Sequence, residues 1–198
     1  MNLPNKITTG RIFLSVLLLI FLIFPFDQIG IEFPIYLISN SVKLNLKYII
    51  GGIVFVIAAV TDFIDGKLAR KNNMVTDYGK VMDAIADKIL VNGVLIILAY
   101  YGFISIIIPV IIITRDTMVD SIKMVAGKNG KVVAASFMGK AKTMTMMIGV
   151  TLIFFANLPF ELIGFRFADI LLIIATILSV ISGCQYFLVN KEFILKDK

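Results

Sequence analysis

Long apolar runs separated by short polar breaks set the plan of this chain. The start, Met1 to Arg11, is short and polar; Pro4 is expected to break any early helix, and Asn5, Thr8 and Thr9 are available as caps. An apolar run from Ile12 to about Phe26 reads as the first helix, and Asp27 to Leu44 as a mixed loop with Pro34. A second helix starts near Leu46, is apolar through Val60 and continues into polar sequence to about Arg70. After a polar turn from Lys71 to Thr76, a third runs from about Asp77 to Tyr101, polar in its first half and apolar from Ile89. Gly102 marks a tight connection to a fourth, Ile104 to about Val125. Gly127 to Lys142 reads as a basic loop, followed by a fifth helix from Thr143, or a little earlier, to Ala156. A sixth spans Ala168 to about Val189, and Lys191 to Lys198 form a polar tail. Each helix comes near the roughly 20 residues needed to cross the hydrocarbon core of a bilayer.

Composition sharpens this picture. Hydrophobic residues make up 59% of the 198 and charged ones only 16%, well under the roughly 25% of a soluble domain. The expected fold is all-α: one polytopic integral membrane domain over residues 1–198, with about six transmembrane helices. A net charge of +6 could point to nucleic acid in a soluble protein, but here it fits cytoplasmic loops, and no nucleic-acid partner is expected. There is no His, which excludes His-based acid–base or phosphohistidine chemistry, and the single Cys184 can form no intrachain disulfide. Lys6 and Arg11 ahead of an apolar run resemble a cleaved signal. That run ends in Phe24-Pro25-Phe26-Asp27 without a small-residue cleavage site, so it reads as the first span.

Charge placement gives an orientation. The N-terminus, residues 67–88, residues 115–142 and the tail hold sixteen of the nineteen Lys and Arg; Lys43, Lys47 and Arg166 are the other three. By the positive-inside rule both termini, the polar stretch after the second span and the basic loop face the cytoplasm of a multi-pass plasma-membrane protein.

Asp62, Asp65, Asp83 and Asp87 lie in a sequence that otherwise reads as membrane. A carboxylate at mid-span costs about 2.5–3.5 kcal/mol on insertion scales, so such residues are functional candidates. At helical spacing Asp62, Asp65, Gly66, Ala69 and Arg70 share one face of the second helix, while Gly79, Asp83 and Asp87 recur every fourth residue on the third. Gly66, Ala69 and Gly79 permit close approach. Four carboxylates in one pocket at the cytoplasmic leaflet would repel each other or take up protons. Two divalent cations would balance them, and an all-oxygen ligand set points to Mg²⁺ or Mn²⁺. Paired metals are a recurrent device for phosphoryl chemistry. A competing reading pairs the aspartates with Lys67, Arg70, Lys80 and Lys88 as interfacial salt bridges, but leaves the small residues unexplained.

The pattern Asp62-x2-Asp65-Gly66-x2-Ala69-Arg70-x8-Gly79-x3-Asp83-x3-Asp87 resembles, position for position, the signature of the CDP-alcohol phosphotransferase family. The stretch Asn2-Leu3-Pro4-Asn5-Lys6-Ile7-Thr8, Ala86-Asp87-Lys88, Arg115 and Gly139-Lys140-Ala141-Lys142-Thr143 are similar to its bacterial phosphatidylglycerophosphate synthase branch. Ala84 departs from a Pro frequent in that branch, and Asp116 from a Glu.

The resemblance implies a transferase that moves a phosphatidyl group from CDP-diacylglycerol to sn-glycerol 3-phosphate, releasing CMP, in a homodimer embedded in membrane lipid. It implies metal binding by Asp62, Asp65, Asp83 and Asp87, with Asp87 also the general base and Asp83 catalytic. Asp62, Gly66, Ala69, Arg70, Gly79 and Asp83 would bind the CDP donor. The acceptor's own phosphate needs a second anion site, for which Arg115, Lys140 and Lys142 are the candidates, with Lys128, Lys131 and Thr8 behind them. Other acceptors (phosphatidylglycerol, inositol phosphate, serine) are the alternative. A small cation transporter is a poorer one, because Gly51 to Val60 and Ile89 to Ala99 carry no charge relay across the bilayer.

Overall fold

A computed structural model describes residues 3–39, 41–71, 76–128 and 136–195. Among them are six α-helices: α1 (Leu3–Ile23), α2 (Leu46–Lys71), α3 (Asp77–Tyr100), α4 (Ile107–Lys128), α5 (Phe137–Phe154) and α6 (Phe167–Leu195). One hairpin, β1 (Ile35–Ile38) with β2 (Val42–Asn45), interrupts an otherwise helical chain. Of the described residues, Asn5–Ile23, Leu46–Ile64 and Phe167–Lys191 are long and apolar enough to cross a membrane.

The first helix corrects the expectation about Pro4. Helix α1 begins at Leu3, with Pro4 inside its first turn. A first-turn N–H has no partner within the helix, so proline's missing donor costs nothing there and its fixed φ suits the helix. The early start has a consequence for packing. Asn5, Thr8, Arg11, Ser15, Leu18 and Leu22 are all buried, at spacings of three and four residues that make a single stripe. Its N-terminal half is polar and its C-terminal half apolar. The outer face, with Phe13, Leu17 and Ile20, is exposed.

The segment expected to be a loop, Asp27 to Leu44, is more ordered than its mixed composition implies. A 3₁₀ turn at Phe26–Ile29 closes on Gly30 at φ +78°, and Phe33 packs edge-on against the rings of Phe21 and Phe26, which tilt against each other. The hairpin follows, antiparallel, with Ile35 opposite Asn45 and Ile38 opposite Val42. The strands are four residues each, too short for a visible alternation in the sequence. Helix α5 likewise starts earlier than Thr143: Ser136 Oγ accepts from Gly139 N (3.0 Å), capping a helix that opens within the basic stretch. Helix α4 starts at Ile107 rather than Ile104, and α6 runs on to Leu195 through part of the expected tail. Residues 72–75, 129–135 and 196–198, parts of the expected turn, loop and tail, lie outside the described residues.

Contacts group the chain into two compact units, Met1–Phe103 with Thr151–Arg166, and Ile104–Val150 with Phe167–Lys198. In the first, α1 packs against α2 and α3. The approach is close because two positions carry no Cβ: one built at Gly93 would stand 2.5 Å from Leu19 Cδ1, and one at Gly51 2.9 Å from Leu22 Cδ2. Phe55 and Phe154, both buried, meet at 5.7 Å between ring centroids. In the second unit α4 packs along α6, with Val119, Ile122 and Tyr186 buried together.

Candidate active site

Within the first unit two of the four aspartates converge. Arg11, on the polar half of the α1 stripe, is buried; its Nη1 pairs with Asp62 Oδ1 of α2 and its Nη2 with Asp83 Oδ1 of α3. Nη2 also reaches the Asp83 backbone carbonyl at 3.4 Å. The Arg11 side chain is 1% exposed, the two carboxylate side chains 42% and 50%, so the arginine meets them from the interior while they stay open on the other side. A cation from α1, Arg11, thus meets both aspartates. Asp87, one turn beyond Asp83, is exposed. The described residues contain no group of three acidic side chains spaced to hold one ion, and the side chain of Asp65 lies outside that set, as do those of Ala69 and Arg70.

Gly79 sits where α1 reaches the start of α3. Thr76 caps that helix, accepting from Gly79 N at 3.0 Å, and Asn5 Nδ2 donates to Thr76 Oγ1 at 3.1 Å. A Cβ at Gly79 would lie 2.7 Å from Asn5 Oδ1 and 3.1 Å from Thr76 Oγ1. A Cβ here would have to displace the Asn5 side chain, so packing favours glycine at this position. Gly66 is partly exposed on α2, and Thr8 is buried on α1 in this same unit.

The second unit gathers the expected phosphate-binding residues of α4 and α5. Arg115 donates from Nε to the Ser179 carbonyl (3.1 Å), from Nη2 to Ser182 Oγ (2.7 Å) and from Nη1 to Asp116 Oδ1 (3.0 Å), and stands over the Tyr186 ring. Gly183 admits its stem: a Cβ there would be 2.9 Å from Arg115 Cγ. Lys142, buried, donates to both oxygens of Asp116 at 2.8 and 2.6 Å. Asp116 therefore draws two cations together. Lys140 is exposed on the first turns of α5, Lys128 closes α4 with its side chain outside the described part, and Lys131 lies outside it altogether. Beside Arg115, an apolar cavity of about 690 Å³ opens between α4 and α6, with Met118, Ile122, Cys184 and Phe187 in its walls.

Arg11 is the residue that sequence reasoning passed over, as mere charge ahead of a span. The signal was present: extending the helix back through Pro4 places Asn5, Thr8, Arg11 and Ser15 on one face, a polar stripe on an apolar helix.

The family model for CDP-alcohol phosphatidyltransferases matches residues 1–181. The chain belongs to this family. It is 40% identical over 191 residues, 96% of either chain, to the CDP-diacylglycerol–glycerol-3-phosphate 3-phosphatidyltransferase of Bacillus subtilis (strain 168). The proteins of the same name from Rickettsia felis and Rickettsia bellii are 32% and 29% identical over 197 residues, 97% of this chain and 97% of theirs. The matched span carries the aspartates and Arg11 of the first unit together with Arg115, Asp116 and Lys142 of the second.

Proposed function

We propose that this chain transfers the phosphatidyl group of CDP-diacylglycerol to sn-glycerol 3-phosphate, forming phosphatidylglycerophosphate and CMP in phospholipid biosynthesis. The observation that carries this reading is its 40% identity, nearly end to end, with a protein named for that reaction, the aspartate signature intact. On this reading Asp62 and Asp83, with Asp65 and Asp87, hold Mg²⁺ or Mn²⁺. The two described carboxylates that converge from α2 and α3 fit such an ion, since hard cations take oxygen ligands and often complete their shell with substrate phosphates. One or two bound ions would neutralise the donor's diphosphate and make its β-phosphorus a better electrophile.

The chain's own residues do the rest. Asp87 takes the proton of the acceptor hydroxyl, whose oxygen attacks the β-phosphorus as the bond to the CMP oxygen breaks, in a single displacement without a covalent enzyme intermediate. Gly66, Ala69, Arg70 and Gly79 line the CDP moiety, with Arg70 at the diphosphate. Arg115, Lys140 and Lys142 receive the acceptor phosphate. Arg115 is suited to this because its guanidinium is already oriented by Ser179 and Ser182. The family resemblance and charge pattern support six spans in the plasma membrane, both termini and the active-site cavity cytoplasmic, and a homodimer.

Purified protein given CDP-diacylglycerol and a panel of acceptors should release CMP with glycerol 3-phosphate and added Mg²⁺ or Mn²⁺, and not after chelation. CMP release with phosphatidylglycerol, inositol phosphate or serine instead would reassign the acceptor. No release with any of them would reject the reaction.

A further inference from the structure

Arg11 is a buried cation on the first helix, and nothing in the transfer reaction as laid out above uses it. A guanidinium inside a membrane helix is costly unless paired, and the partners it finds are two carboxylates brought by two other helices. Its fork takes Oδ1 of Asp62 and Oδ1 of Asp83. The arginine lies on the buried side and the carboxylates are half open on the other. Its Nε finds no hydrogen-bond partner, so the interaction rests on the two terminal nitrogens alone.

We propose that Arg11 is a positioning residue for the metal site: it holds Asp62 and Asp83 from the buried side, so that their half-exposed carboxylates are presented to a divalent cation arriving from the open side. Two aspartates on separate helices repel each other when ionised; a shared guanidinium removes that repulsion, fixes both rotamers and ties α1 to α2 and α3 at the same point. The outer partners of metal-bound carboxylates work in this way, and their loss commonly weakens metal binding about 10- to 100-fold. The inference rests on the proposed metal role of Asp62 and Asp83.

The test measures Mn²⁺ binding directly, by the electron paramagnetic resonance of free Mn²⁺, on full-length protein in detergent without substrates. Arg11→Gln should raise the Mn²⁺ Kd about 10- to 100-fold. Arg11→Lys, which keeps the charge but offers a single donor point, should fall between it and the wild type, and covers the case in which Arg11→Gln does not fold. A Kd unchanged or lowered in the folded variants overturns the positioning role, since a guanidinium merely competing with the ion would give tighter binding when removed. Asp62→Asn is the companion. If it abolishes Mn²⁺ binding while the Arg11 variants bind normally, the metal assignment stands and the role of Arg11 fails. If Asp62→Asn binds Mn²⁺ like the wild type, the metal assignment fails and takes this role with it.

Discussion

A guanidinium offers five N–H donors, and Arg115 spends three of them on Ser179, Ser182 and Asp116. What is left can serve an anion without the side chain having to reorganise. Lys142 is different: both its short contacts go to Asp116, so its charge acts on a ligand through that carboxylate or after parting from it. Arg115→Ala is accordingly expected to raise the KM for glycerol 3-phosphate about ten- to a hundredfold, with the KM for CDP-diacylglycerol little moved. Steady-state CMP release with each substrate varied in turn checks it, and an unchanged acceptor KM would remove Arg115 from the phosphate site. Asp87→Asn keeps the shape of the side chain and removes its basicity. Its kcat should fall about 10²- to 10⁴-fold while donor binding persists. At this scale the sequence was highly informative, because carboxylates and arginines are conspicuous in apolar surroundings. Arg11 escaped because its importance depends on which face of α1 it occupies, and that face was hidden by starting the helix too late, at Ile12 rather than Leu3.

Helix boundaries show where local rules were overridden. Proline at position 4 is a breaker in a helix interior and harmless in a first turn; only the packing of Asn5 on Thr76 reveals which applies. The hairpin at Ile35–Asn45 was illegible for another reason: two strands of four residues leave no period to read, and their pairing depends on a turn instead. By contrast α2 and α3 were legible nearly to the residue, since polar sequence brackets each. Gly79 was expected from its spacing to permit close helix approach and from the family resemblance to bind the CDP donor, and its packing against Asn5 and Thr76 gives the first expectation a concrete partner on α1. The two can be separated. If packing dominates, Gly79→Ala pushes on the Asn5–Thr76 cap and lowers stability by about 1 kcal/mol, an effect that couples to Asn5→Ala in a double-mutant cycle of thermal unfolding in detergent. A Gly79→Ala protein of unchanged stability but raised KM for CDP-diacylglycerol would assign the glycine to the donor.

For the molecule as a whole, composition spoke first. So few charges and such long apolar runs leave little besides helices in a bilayer, where backbone groups must be satisfied within each segment. Phe13, Ile53, Ile57, Ile173 and Ile177, on the three helices that are long and apolar enough to span, are exposed as lipid-facing residues must be. The charge asymmetry adds an orientation that can be checked. With epitope tags at both ends, protease added outside sealed right-side-out vesicles should spare both tags and remove both after permeabilisation. Cleavage of one tag before permeabilisation would contradict an even number of spans. The cluster around Asp116 was only half legible from sequence: Arg115 and Lys142 stood out as charges, but their tie through Asp116 and the serines of α6 depends on helix packing that no spacing rule supplies.

Cys184 carries the one thiol of the chain, and it is exposed in the wall of the apolar cavity beside Arg115. Charged reagents enter apolar surroundings reluctantly, so small neutral maleimides are the reagents of choice. The protein as it stands thus offers a single attachment point for a spin label or fluorophore, two residues along α6 from the Arg115 contact at Ser182 and far in sequence from Asp62, Asp65, Asp83 and Asp87. A label there needs no cysteine to be introduced or removed, and its mobility or emission would follow the filling of the cavity by lipid or detergent in real time.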